Sequence, residues 1–246
     1  MFSIELQNLT KRFEDKTAVD ELTLTINEGE LFGLLGPNGA GKTVTINILC
    51  GILKPTSGTA KVNGLDITKD ADKVHKIIGL CPQEPAYYSY LTGRENIEIF
   101  GTFQGVPPKL LKERSAQLIE AVGLSADSER RAGKYSGGMI RRVSLAMALI
   151  HDPAVAFLDE PTVGMDPQSR HATWVIIRDL KKREKTVVLT SHYIEEVEAL
   201  VDRVGIIDNG KLIALGTPAE LKQIHGAASL EDVFITMTGR KIREES

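Results

Sequence analysis

The chain has 246 residues, enough to bury a substantial core as one large domain or two small ones. With 42% hydrophobic and 26% charged residues and a formal net charge of −3, its composition is that of an ordinary globular protein, with no general drive toward nucleic acid. Cys50 and Cys81 lie in apolar runs and form no C-x-x-C pair, so both are expected as buried thiols in a reducing compartment, with no disulfide or metal role. Met1 to Glu5 shows no basic flank followed by an apolar core, so no secretory leader is expected. No stretch approaches the roughly 20 apolar residues needed to cross a bilayer; a membrane function would need another chain to span.

Residues 3–30 alternate polar and apolar, with Leu22, Leu24 and Ile26 on one face. They predict β-strands joined by a turn at Glu14-Asp15-Lys16, with Phe13 just before it, where burial in a core is less natural. Leu31 to Leu35 is a short buried strand, and Val44 to Leu49 an apolar helix. Between them runs Gly36-Pro37-Asn38-Gly39-Ala40-Gly41-Lys42-Thr43, a gapless match to G-x-x-x-x-G-K-[ST] in the strand–loop–helix setting that pattern requires. Its glycines let successive N–H groups turn inward around a chain of phosphates, and the helix N-terminus faces the same anion. Lys42 supplies a point charge for the outer phosphates, and the Thr43 hydroxyl can ligate the accompanying magnesium. The bland rival, a glycine-rich turn with a chance lysine, does not explain the full spacing. This is a nucleotide site.

Gly58 to Ile67 predicts a strand pair around Asn63-Gly64, and Ile77 to Cys81 a buried strand. Prolines then keep Pro82-Gln83-Glu84-Pro85 out of a helix. Residues 92–150 change character. Thr92 and Glu95 form a capping box opening a helix toward Phe103. A second helix follows Pro107-Pro108, with Leu111, Leu118 and Val122 on one stripe and Gly123 as its stop. After the basic stretch Arg130 to Tyr135, Ser136 caps a third helix to about Ile150, and Arg141-Arg142 are expected on a solvated or interface face. Ala154 to Leu158 is an apolar run suited to a central parallel strand. Helix, strand, helix and strand follow over 168–182, 186–190, up to Leu200 and 204–207, the alternation of βαβ units. Thr217-Pro218 opens a further helix, and Ser229 with Asp232 another, to Thr238. The fold class is therefore α/β: a phosphate-loop core with a mostly parallel sheet, an antiparallel β-subdomain and a helical insertion.

Asp159 and Glu160 close the central strand, at the sheet edge where the phosphate loop also lies. One carboxylate there can hold magnesium and the other can orient an attacking water; the rival, two strand-end carboxylates that merely face solvent, is disfavoured by the apolar strand in front and Pro161-Thr162 behind. With Tyr135-Ser136-Gly137-Gly138-Met139 added, nearly the whole chain resembles the nucleotide-binding subunit of an ATP-binding cassette transporter, whose signature is usually Leu-Ser-Gly-Gly-Gln. Tyr135 and Met139 depart from that signature, and Val44 stands where many members carry a second hydroxyl. The form of the signature, with Leu230 to Phe234 and Thr238-Gly239-Arg240, is similar to the drug, lipid and polysaccharide exporters of the daunorubicin-resistance type.

The resemblance implies further roles. Phe13 would stack on adenine, Gln83 contact magnesium and the lytic water, and His192 contact the γ-phosphate. Gly36 to Val44 would cradle the nucleotide; Ser136, Gly137, Gly138 and Asp166 would reach it across a subunit interface. Glu160, His192, Gln83 and Lys42 would carry catalysis, and Thr43, Gln83 and Asp159 the metal. It also implies ATP and Mg2+, a homo- or heterodimer of ATPase subunits, a membrane permease on a separate chain, and a place on the cytoplasmic face of the membrane with no nucleic-acid partner. Residues 1–225 would form the cassette, with core 1–83 and 151–225 and a helical subdomain of about 84–150, followed by a short C-terminal helical tail, 226–246. The rivals are a non-transport cassette ATPase acting on nucleic acid, a ribosome or an assembly scaffold, a small-molecule kinase, and a binding-only cassette.

Overall fold

Polar–apolar alternation in the first thirty residues produces a hairpin, seen in the computed structural model, which describes residues 1–191 and 193–239. Strands β1 (Phe2–Phe13) and β2 (Lys16–Asn27) pair antiparallel; β4 (Ser57–Val62) and β5 (Leu65–Asp66) extend them into a sheet ordered β2-β1-β4-β5. The second sheet holds β3 (Leu31–Leu35), β6 (Ile78–Cys81), β7 (Val155–Asp159), β8 (Thr186–Thr190), β9 (Arg203–Asp208) and β10 (Lys211–Gly216). Its order is β10-β9-β3-β8-β7-β6, parallel throughout except for the antiparallel edge strand β10.

The central strands are buried on both faces, and their period of two splits each between two cores. Phe32 and Leu34 of β3, Val155 and Phe157 of β7 and Val188 of β8 point toward the antiparallel sheet, α1 (Lys42–Leu49) and α2 (Ala71–Ile77). Leu31, Leu35, Ala156, Leu158, Val187 and Leu189 point to the opposite layer. That layer includes α6 (Pro167–Lys182), α7 (Ile194–Leu200), α8 (Pro218–His225) and α9 (Leu230–Thr238). Leu230, Val233 and Phe234 of α9 are wholly buried there.

A third core, with Ile97, Leu111, Ile119, Val143 and Ile150 among its members, joins α3 (Gly93–Phe103), α4 (Pro108–Ala121) and α5 (Gly137–Leu149) into the expected helical insertion. The Thr92–Glu95 capping box forms in both directions, as do those at Thr217–Glu220 and Ser229–Asp232. Each satisfies helix-end N–H groups and stabilises by about 1 kcal/mol.

Among the described residues, three elements went unanticipated, one of them a single 3-10 turn at Ala132–Lys134. The seven residues of α2 carry only one buried apolar side chain, Val74, too few for a helical period. The strand β10 follows Asn209-Gly210, both at positive φ, the tight hairpin turn that such a pair favours. Among the described residues, no helix is long and apolar enough to cross a membrane.

Candidate functional site

The phosphate loop leaves the carboxyl end of β3 and turns into α1. A Cβ on Gly36 would lie 2.4 Å from the Ile207 carbonyl oxygen, and one on Gly41, at φ 106, would lie 2.3 Å from that of Ala18. Backbone packing therefore excludes side chains at both ends of the turn. The Ala40 N–H donates to the Pro37 carbonyl at 3.1 Å. Lys42 folds back into the curl, donating from Nζ to the carbonyls of Gly36 at 2.6 Å and Pro37 at 3.2 Å. Burial lowers the pKa of this ammonium, while the neighbouring Glu160 and Asp159 charges oppose the shift. The result is a largely dehydrated positive charge at the place where the loop would receive an anion.

Strand β7, between β6 and β8, brings Asp159 and Glu160 to the same edge. Asp159 accepts from the Thr43 hydroxyl at 2.9 Å and from the Thr190 hydroxyl. Thr190 Oγ1 in turn accepts the Glu160 N–H at 3.0 Å, and Glu160 itself has φ 53. Both carboxylates are buried. Among the described residues, no group of three or more His, Cys, Asp or Glu could hold a metal. The Thr43–Asp159 oxygen pair nonetheless suits magnesium, which takes one or two protein oxygens and completes its shell with phosphates and water.

A cleft of about 410 Å³ is lined by Phe13, Asn38, Gly39, Gly41, Lys42, Thr43, Val44, Gln83 and Glu160, with Lys16 and Ala18, which the sequence did not single out. Phe13 is 42% exposed at the end of β1, outside every core, and the Lys11 ammonium sits 4.9 Å from its ring centroid. Such a ring at the mouth of a phosphate cleft suits stacking on a base. Phe13→Ala should weaken ATP binding by about 1–3 kcal/mol, and GTP equally, because stacking reads a π-face. Phe13→Trp should be tolerated. Nucleotide titration of a folded Phe13→Ala protein with unchanged affinity would sink the stacking role.

The remaining predicted residues lie elsewhere. Ser136 caps α5 by accepting the Met139 N–H at 3.3 Å, and Asp166 caps α6 by accepting from the Ser169 N–H at 2.9 Å. Gly138 packs beside Gly164 and Met165, so these loops adjoin. Ser136, Gly137, Gly138 and Asp166 do not line the phosphate-loop cleft. His192 and Arg240 fall outside the described residues.

Tyr135 packs into the third core, with its hydroxyl donating to the Asp127 carbonyl at 2.6 Å, so that departure from the usual leucine is structural. Met139 Sδ accepts from Arg130 at 3.3 Å. Arg141 is not on a solvated face. It is buried and donates to the Pro82 carbonyl at 2.9 Å, tying α5 to the segment that carries Gln83. Cys50 and Cys81 are buried free thiols, their pKa values pushed up by burial, to about 11 for Cys81.

The family model described as ABC transporter matches residues 19–163. The chain belongs to the ABC transporter family. Its residues match the daunorubicin/doxorubicin resistance ATP-binding protein DrrA of Streptomyces peucetius at 42% identity, over 92% of this chain and 68% of that protein. They also match ABC transporter A family member 4 of Arabidopsis thaliana at 44% identity over 91% of this chain, but the cassette spans only 24% of that much longer relative. A solved dimeric ATP-binding cassette in a post-hydrolysis state, bound to ADP and Pi, superposes with TM-score 0.80 at 26% identity, covering 87% of this chain and 98% of the other. The resemblance to the ABC ATP-binding subunits, including the daunorubicin-resistance type, is thus borne out, as is the α/β cassette fold.

Proposed function

We infer that this cassette binds ATP with magnesium in the cleft of the phosphate loop and hydrolyses it to energise a separate membrane permease, an exporter. The observation that carries the reading is the Thr43–Asp159 hydrogen bond, which joins the phosphate loop to the carboxylate pair at a cleft that Thr43, Phe13, Gln83 and Glu160 line. Bound magnesium would offset negative charge on the phosphate oxygens. Lys42 and the loop N–H groups would hold the outer phosphates, Thr43 and Asp159 would hold the ion, and Gln83 would contact the ion and the water. Glu160 accepts a proton from the water, and His192 orients the γ-phosphate. Catalysis is then mainly positioning and electrostatics. Val44 forgoes one hydrogen bond to an inner phosphate, a loss of about 0.5–1.5 kcal/mol.

The functional unit in this reading is a dimer of cassettes, homo- or heterodimeric, on the cytoplasmic face of the membrane. Ser136, Gly137, Gly138 and Asp166 of one cassette serve the ATP of the other; their absence from their own chain's cleft supports this arrangement. The proposed division is a core of 1–83 and 151–225, a helical subdomain of about 84–150 and a short C-terminal tail of 226–246, of which 240–246 lie outside the described residues.

The test is hydrolysis by the purified chain with and without magnesium, followed by fractionation of the membranes of cells that express it. Turnover should vanish on chelation, return with magnesium, and follow the chain into the membrane fraction. Co-purification with nucleic acid and stimulation by it, with no membrane partner, would overturn the transport reading.

A further inference from the structure

Behind the cleft lies a carboxylate that the proposed mechanism does not use. Glu196, on α7, is wholly buried. Its oxygens accept from the Thr162 hydroxyl at 2.9 Å, the Trp174 indole N–H at 2.6 Å and the Ser191 hydroxyl. A carboxylate out of water is costly unless donors surround it, and burial raises the pKa of this one while the three donors oppose the shift. The donors come from the turn after β7, from α6 and from the end of β8. Glu196 therefore ties together segments far apart in the chain.

Those segments flank Glu160. Thr162 lies just beyond it in the turn after β7. Thr190, directly before Ser191, holds both the Glu160 N–H and the Asp159 carboxylate. Ser191 is fixed further by accepting the Tyr193 N–H at 3.0 Å. Glu160 sits at φ 53, a left-handed backbone disfavoured for a residue with a Cβ. Such a conformation persists where the surroundings over-determine it.

We propose that Glu196 is a positioning residue that sets the geometry of Glu160 by clamping the turns after β7 and β8 to one buried carboxylate. This rests on Glu160 acting as the base toward water. Glu196 touches no nucleotide, so its loss should affect turnover and spare binding. A displacement of about 1 Å at a reacting group costs up to about a hundredfold in rate.

The experiment compares kcat and ATP Kd in Glu196→Leu, Glu196→Gln, Thr162→Val and Glu160→Gln. Glu196→Leu removes every acceptor and should lower kcat by about tenfold or more, with Kd within about twofold. Glu196→Gln should recover to within about threefold of wild type, because the amide oxygen can accept from Trp174 while the two hydroxyls rotate to accept from its N–H groups. A normal kcat in Glu196→Leu, a loss of affinity matching the loss of rate, or no recovery in Glu196→Gln overturns the clamp. If Glu196→Leu does not fold, Thr162→Val decides: kcat should fall by about threefold or more at unchanged Kd, and an unchanged kcat overturns the proposal. Glu160→Gln separates the two readings. If it turns over normally, the base assignment fails; if it is slow while Glu196→Leu is normal, only the clamp fails.

Discussion

Glu160→Gln should bind ATP as the wild type does and hydrolyse it more slowly by about two orders of magnitude or more. The amide fills the same space at the end of β7 and keeps the backbone bond to Thr190, yet it cannot take a proton from water. The groups proposed to bind nucleotide, the loop amides, Lys42, Thr43 and Phe13, are untouched, so the loss should fall on kcat and spare affinity. Binding without hydrolysis should make the ATP-bound dimer accumulate, which size-exclusion chromatography with magnesium and ATP would detect. Turnover near that of wild type would remove Glu160 from the catalytic role.

Mixing two inactive variants should restore activity. Lys42→Ala takes the buried charge from the phosphate loop, and Ser136→Arg places bulk and misplaced charge at the exposed start of α5. Each homodimer should be inactive, and the lost helix cap should cost the second variant only about 1 kcal/mol of stability. In a mixed dimer, the Ser136→Arg chain keeps an intact phosphate loop and the Lys42→Ala chain an intact Ser136 loop. If the two meet across the interface, one whole site is regenerated and the other carries both defects. Random pairing makes half the dimers mixed, so activity should approach about a quarter of wild type for independent sites. Strict coupling of the two sites would suppress that recovery, so ATP-dependent cross-linking between cysteines placed near Ser136 and near Gly39 is measured in parallel. No rescue and no cross-link would sink the shared site for a homodimer; a heterodimer requires the same measurement with its own partner chain.

The phosphate loop, the carboxylates at the end of β7, the capping boxes at Thr92 and Ser229 and the cap at Thr217 were legible in the sequence alone. Each is local: a few consecutive residues set the φ angles, N–H directions and hydrogen bonds that define it. The alternation in β1 and β2 and the apolar runs of β3, β7 and β8 were legible for a related reason, since a strand's period acts within its own length. The short helix α2 was not read, because its one buried side chain gives too little period and neighbouring elements decide its form; the edge strand β10 was missed although Asn209-Gly210 is a local hairpin signal. Arg141 was misread because only the packing of α5 against the Pro82 segment makes its burial favourable. Tertiary structure alone decided that Phe13, Gln83 and Glu160 face one cleft with Lys42, through the placement of β3 beside β8 and of β7 between β8 and β6. It alone brought Thr162, Trp174 and Ser191 onto Glu196, and it kept Ser136 and Asp166 out of their own chain's cleft. No local preference encodes such distances. Strand order and the burial of both sheet faces do, because they fix which loops share the carboxyl edge of the sheet.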